Sequence, residues 1–210
     1  RDKELSELAG MFSHIEDHNS SCRSVITGPV GSGKTVLSKR FGDDLLKHLE
    51  GKRKISYAHV NCRNNPSTSQ VLQQIAISLD SGHPERGLSS GEIIQSIRRN
   101  LLSHNNHLLL VLDEVDVLVR RDNFDLIYKL LRIDESQERK GSLSLILISQ
   151  DSMLLKLFEP AIISRLGASN IIQLKPYDKK GLIQIIKQRA DLACRSGSIS
   201  EEILEKIGVM

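Results

Sequence analysis

Two stretches of this sequence carry residue types suited to chemistry on a polyphosphate. The first is GPVGSGKT, residues 28–35. It fits G-x-x-x-x-G-K-[ST] at every fixed position. Gly28, Gly31 and Gly33 permit backbone angles and a close approach that a side chain would block. Successive N–H groups then face a concavity at a helix N-terminus, where phosphate oxygens are held. Lys34 would reach the β and γ phosphates, and the Thr35 hydroxyl would ligate magnesium. The expected nucleotide-binding set is Gly28, Pro29, Val30, Gly31, Ser32, Gly33, Lys34, Thr35 and Val36. The expected ligands are ATP or ADP with Mg2+.

The second stretch is LLLVLDEVD, residues 108–116. An apolar strand here delivers Asp113 and Glu114 to its carboxyl end, where ligands bind in open α/β sheets. Asp113 would hold magnesium, through water. Glu114 would orient and deprotonate a water for attack on the γ phosphate. Asp116 has two readings, a helix-capping carboxylate or a role near the metal. The glutamate beside the metal acid favours a hydrolase over a small-molecule kinase, whose acceptor would be a bound substrate.

These residues need elements to position them. SVIT (24–27), ISYAHV (55–60), LLLVL (108–112), LSLILIS (143–149) and IIQL (171–174) read as strands. Between them lie helical patterns. Val36, Leu37, Phe41, Leu45 and Leu46 recur at helical spacing in 34–49. Residues 67–79 open on Ser67 and Gln70, a capping-box spacing. Residues 91–102 repeat the pattern with Ile93, Ile94, Ile97 and Leu101, and 123–131 and 153–158 read as short helices. Strands alternating with helices predict crossover connections and a mostly parallel sheet. The expected fold is α/β, a P-loop NTPase with a five-stranded parallel sheet flanked by helices. After Pro176, helical patterns at 179–195 and 200–207 have no strand between them, so we expect a domain 1–175 and the beginning of a helical domain at 176–210. DESQERKGS (134–142) reads as a solvated connection.

Bulk properties narrow the function. With 29 Lys and Arg against 26 Asp and Glu, the balance is +3, which does not by itself indicate nucleic-acid binding. Aromatics are 3% with no Trp, which disfavours a base-stacking platform. Cys22, Cys62 and Cys194 have no metal-ligand or CxxC spacing and read as thiols in a reducing cytosol. No run reaches the ~20 apolar residues of a membrane span, and no signal-peptide pattern is visible. We expect a cytoplasmic, nucleoid-associated protein with no membrane partner. The chain opens on Arg1 and stops at IGVM, so we expect a fragment of a longer protein.

Taken in order, GPVGSGKT, LLLVLDEVD, LSLILISQD, EPAIISRLG and KPYDKKGLIQII resemble an AAA+ ATPase. Within that class the sequence resembles the archaeal origin-recognition replication initiators of Orc/Cdc type. RDKELSEL, HVNCRNNPSTSQVLQQIA, GLSSGEIIQSIRRNLL and LDEVDVL extend that resemblance along nearly all 210 residues. It implies an ATPase of slow turnover, a partial helical lid after the sheet, and as partners duplex origin DNA, the replicative helicase and other initiator subunits. By the same resemblance Gln150 stands at the sensor 1 position, where the family usually has asparagine. Arg165 matches an arginine presented to a neighbour's nucleotide, and Tyr177 a lid-entry residue near the adenine. A helical element within 66–106 would meet DNA, with Arg86, Arg98 and Arg99 as candidate cations and His83 nearby. The family's sensor 2 arginine and winged-helix domain would lie beyond residue 210. His59 and His107 flank strands and read as structural. Two alternatives share these motifs: a STAND-like signalling ATPase switch and a clamp- or helicase-loader subunit.

Overall fold

The computed structural model describes residues 1–16, 20–121, 124–133, 143–151, 153–167, 169–195 and 198–208. The connection read at 134–142 lies outside the described residues. The chain divides into two compact units, Arg1–Leu174 and Lys175–Met210.

The first unit is built on five parallel strands: β1 (Arg23–Thr27), β2 (Ile55–Asn61), β3 (His107–Asp113), β4 (Leu143–Ser149) and β5 (Ile171–Gln173). Their spatial order is β2-β3-β4-β1-β5. Every residue of β3 and β4 is buried, as strands covered on both faces must be. The two-residue period of a strand separates the two cores. Leu108, Leu110 and Leu112 face one of them, with α3 (Thr68–Leu79), α4 (Ser90–Ser103), α5 (Asp116–Val119), α6 (Phe124–Leu131), α7 (Leu154–Leu157) and α8 (Pro160–Leu166). Leu109 and Val111 face the other, with α1 (Asp2–Met11) and α2 (Lys34–Leu49). Each leucine so enclosed contributes about 1.5–3 kcal/mol relative to exposure.

Registers align the carboxyl ends of the strands. Thr27 pairs with Ser149 and Asn61 with Asp113. Residues just past these positions therefore share one rim. The helices start where local chemistry permits. Gly33 caps α2 at φ 89°, a left-handed angle that suits a residue without Cβ. Ser67 caps α3 by accepting the Gln70 N–H, and Ser89 with Glu92 forms a full capping box on α4.

The second unit holds α9 (Lys179–Ala193) and α10 (Glu201–Ile207). Asp178 caps α9 by accepting the Gly181 N–H, and Lys187 pairs with Glu201 on α10. Among the described residues, no helix is long and apolar enough to cross a membrane.

Candidate functional site

The loop after β1 turns through positive φ at Gly28, Gly31 and Gly33 and enters α2 directly. A Cβ at Gly28 would sit 2.5 Å from the Leu174 carbonyl oxygen, so the loop is seated against the chain after β5. Lys34 donates to the Gly28 and Pro29 carbonyls at 2.6 and 2.8 Å. Burial lowers the Lys34 amine from its ordinary value, opposed by the charges of Asp113, Asp116 and Glu114. Val30 and Val36 are exposed on the rim of the loop. Arg1 donates to the Ser32 carbonyl at 2.9 Å, which ties the start of the chain to the same loop.

The acids lie directly opposite. Thr35 donates through Oγ1 to Asp113 Oδ2 at 2.6 Å, bringing the two expected metal ligands into contact. Asp113 is buried, and its other oxygen accepts the Glu114 N–H at 2.9 Å. Burial alone would raise the Asp113 carboxyl. Hydrogen bonds from His59 and Thr35 more than reverse this and hold it below its ordinary range. Hard oxygen donors meeting at the N-terminus of a helix suit Mg2+, which takes few protein ligands and completes its shell with water and phosphate. The described residues contain no cluster of three or more His, Cys, Asp or Glu fit to hold a metal by themselves.

Glu114 follows at φ 54°, a left-handed angle unusual for a residue with a side chain. Its carboxylate accepts from Gln150 at 3.2 Å and from Asn61 at 3.1 Å, and Arg63 approaches the same oxygen as Asn61 at 3.2 Å. Gln150, just past β4, thus reaches the Glu114 carboxylate. Asp116 opens the short helix α5 (Asp116–Val119), and its carboxylate accepts from the Ser149 hydroxyl and the Gln150 N–H. It anchors the tip of β4.

Three contributors escape sequence reading. His59 does more than flank a strand: its Nε2 lies 3.2 Å from Asp113 Oδ2. Asn61 and Arg63 act on Glu114 from the end of β2. The alternation of ISYAHVN shows that Tyr57, His59 and Asn61 share a face, but not that β2 lies beside the acidic strand. His83, read as a neighbour of the candidate cations, is buried in the connection between α3 and α4 and paired with Ser96. Arg86 and Arg99 are exposed, and Arg98 is half-buried on α4. Arg165 lies on α8 with its guanidinium 5.4 Å from the Tyr128 ring centroid. Tyr177 belongs to the second unit, half-buried against the first turn of α9 at Gly181. The thiol of Cys62, close to the rim, is pushed up to about 12 by burial and then by the charges of Asp113, Asp116 and Glu114. That removes it as a nucleophile.

A protein-family model described as an AAA domain matches residues 20–158, which span the cradle, the acidic strand and β4. The chain belongs to the AAA domain family. Further resemblance of this AAA chain runs to replication proteins. It is 30% identical over 207 residues to an ORC1-type DNA replication protein of Sulfolobus acidocaldarius, covering 98% of this chain and 51% of that protein. The solved structure of the Aeropyrum pernix ORC1 protein in complex with DNA superposes with a TM-score of 0.85 at 25% identity, covering 100% of this chain and 54% of that one. The Aeropyrum pernix ORC2 protein in ADPNP-ADP complexes gives 0.86 at 25% identity, covering 98% and 55%. The resemblance to archaeal origin-recognition initiators and the five-stranded parallel AAA+ fold are both borne out. The chain spans about half the length of the curated relatives it matches.

Proposed function

We propose that this chain is the ATP-binding and hydrolysing module of a DNA replication initiator. The observation that carries the reading is the contact between Thr35 and Asp113 beside Lys34, which brings cradle and acids to one point. Backbone N–H groups of the loop and Lys34 would bind the phosphates. Thr35 and Asp113 would hold Mg2+, which would supply neutralisation of phosphate charge. Glu114 would take the proton of the attacking water, with Gln150 and Asn61 fixing its orientation. Arg165, on a different helix, would serve a neighbouring subunit's nucleotide. The second unit would be the start of the helical lid, with Tyr177 at its entry.

The similarity to an ORC1 protein solved with DNA supports DNA as a partner. Origin sequence, other initiator subunits and the replicative helicase are the partners that the initiator reading adds. The nucleotide would act by binding two conformations unequally, since equal affinity shifts nothing. Replacing Glu114 with Gln tests the site. ATP binding is expected to persist while turnover falls by about 10²–10⁴-fold, the usual contribution of a general base. Undiminished turnover would remove Glu114 from its role. Comparing duplex affinity in ATP and in ADP, at fixed salt, tests the switch. Equal affinities would count against it.

A further inference from the structure

We infer that His59 is a positioning residue for Asp113, braced by Tyr57 and Gly42, and that this brace sets the strength with which magnesium is coupled to nucleotide. The inference rests on the reading of Asp113 as a metal ligand.

Three contacts form the brace. The Tyr57 hydroxyl lies 3.1 Å from His59 Nδ1, and His59 Nε2 lies 3.2 Å from Asp113 Oδ2. The tautomer follows from the partners. A phenol donating to Nδ1 leaves the ring proton on Nε2, facing a carboxylate that can only accept. The third contact is steric. Gly42 sits inside α2, where glycine costs about 1 kcal/mol relative to alanine. A Cβ there would come within 2.6 Å of Tyr57 Cε2. Glycine is what lets the Tyr57 ring lie against the helix whose first turn carries Lys34 and Thr35.

The geometry restricts one carboxylate from three sides. Oδ2 receives Thr35 and His59, and Oδ1 receives the Glu114 N–H. A Thr35 hydroxyl engaged with a metal still leaves the His59 N–H to fix the rotation of the Asp113 carboxylate. Partners of this kind orient a metal ligand, and their loss typically weakens metal binding by about 10–100-fold. The side chains of His59 and Asp113 are 13% and 4% exposed, so water has little room to replace the missing donor.

The test measures the affinity of a fluorescent ADP analogue with Mg2+ and with EDTA, and takes the ratio as the magnesium coupling. His59→Leu is expected to reduce the ratio by about tenfold, in line with the loss of an outer partner, while the EDTA affinity changes little. His59→Gln, which can place an N–H near the same point, is expected to retain most of the ratio. Tyr57→Phe, which keeps the ring but frees the tautomer, should lower it by a smaller factor and stands in if His59→Leu does not fold. Asp113→Asn separates the two claims. If it collapses the ratio while His59→Leu and Tyr57→Phe leave it at the wild-type value, the brace is overturned and the metal reading stands. If Asp113→Asn leaves the ratio intact, the metal reading fails and the brace falls with it.

Discussion

Strand β3 and helix α9 are both regular elements, yet their side chains meet opposite surroundings. All seven residues of β3 are buried, and it ends in a carboxylate held by Thr35, His59 and the Glu114 N–H. None of the fifteen residues of α9 is buried, and Leu182 and Leu192 stand exposed on it. The difference shows where order comes from. The strand is covered on both faces and paired on both edges, so packing restricts a side chain at its tip. The helix holds its shape through its backbone ladder and its Asp178 cap, with Lys187 paired to Glu201 and Glu205 of α10. The site belongs with the first kind of order.

Breaking that contrast has a largest and a smallest case. Leu110→Ala, in the middle of β3, is expected to cost about 2–5 kcal/mol in denaturant unfolding, the range for a large-to-small change in a full core. The same change at Leu192, 84% exposed, should stay within about 0.5 kcal/mol. Equal effects would erase the distinction. Gly42→Ala comes next. Its new Cβ meets the Tyr57 ring rather than open space, so overpacking of about 1–3 kcal/mol should outweigh the gain in helix propensity. Greater thermal stability in this variant would show that the ring moves freely.

Acid sharpens the comparison further. The folded Asp113 carboxyl lies below its ordinary value of 3.8. Its contribution to stability is therefore fully present above that value and is lost as pH falls through the lower, folded value. With nucleotide absent, Asp113→Asn should remove this part of the acid transition without moving the part due to exposed carboxylates. An unchanged acid unfolding curve would contradict the shift. A small effect is also expected at the ion-paired lysine of the second unit. Lys187→Ala should change stability by about 0–1 kcal/mol, with what effect there is fading at high salt.

Much of this was legible in the sequence because the two central strands are nearly all apolar and the loop between β1 and α2 obeys a strict spacing. Lys34, Thr35, Asp113 and Glu114 follow from that spacing, and their meeting follows from strands that share one carboxyl rim. Three helices were not read. α1 was taken only as a family-like opening although Leu8 and Phe12 enter the core, and α5 and α8 are too short to show a period. His59, Asn61 and Arg63 were missed for another reason. Their roles depend on which strand lies beside β2, and that neighbour, 54 residues further along the chain for His59, is set by topology rather than by local pattern.

The left-handed backbone at Glu114 has a consequence of its own. An L-residue in that region is worse off than glycine by roughly 1–2 kcal/mol. Under the proposed function, folding and turnover pull this position in opposite directions, and Glu114→Gly should yield a protein that melts higher while turnover falls by about 10²–10⁴-fold. A screen for heat resistance alone would drift toward that substitution.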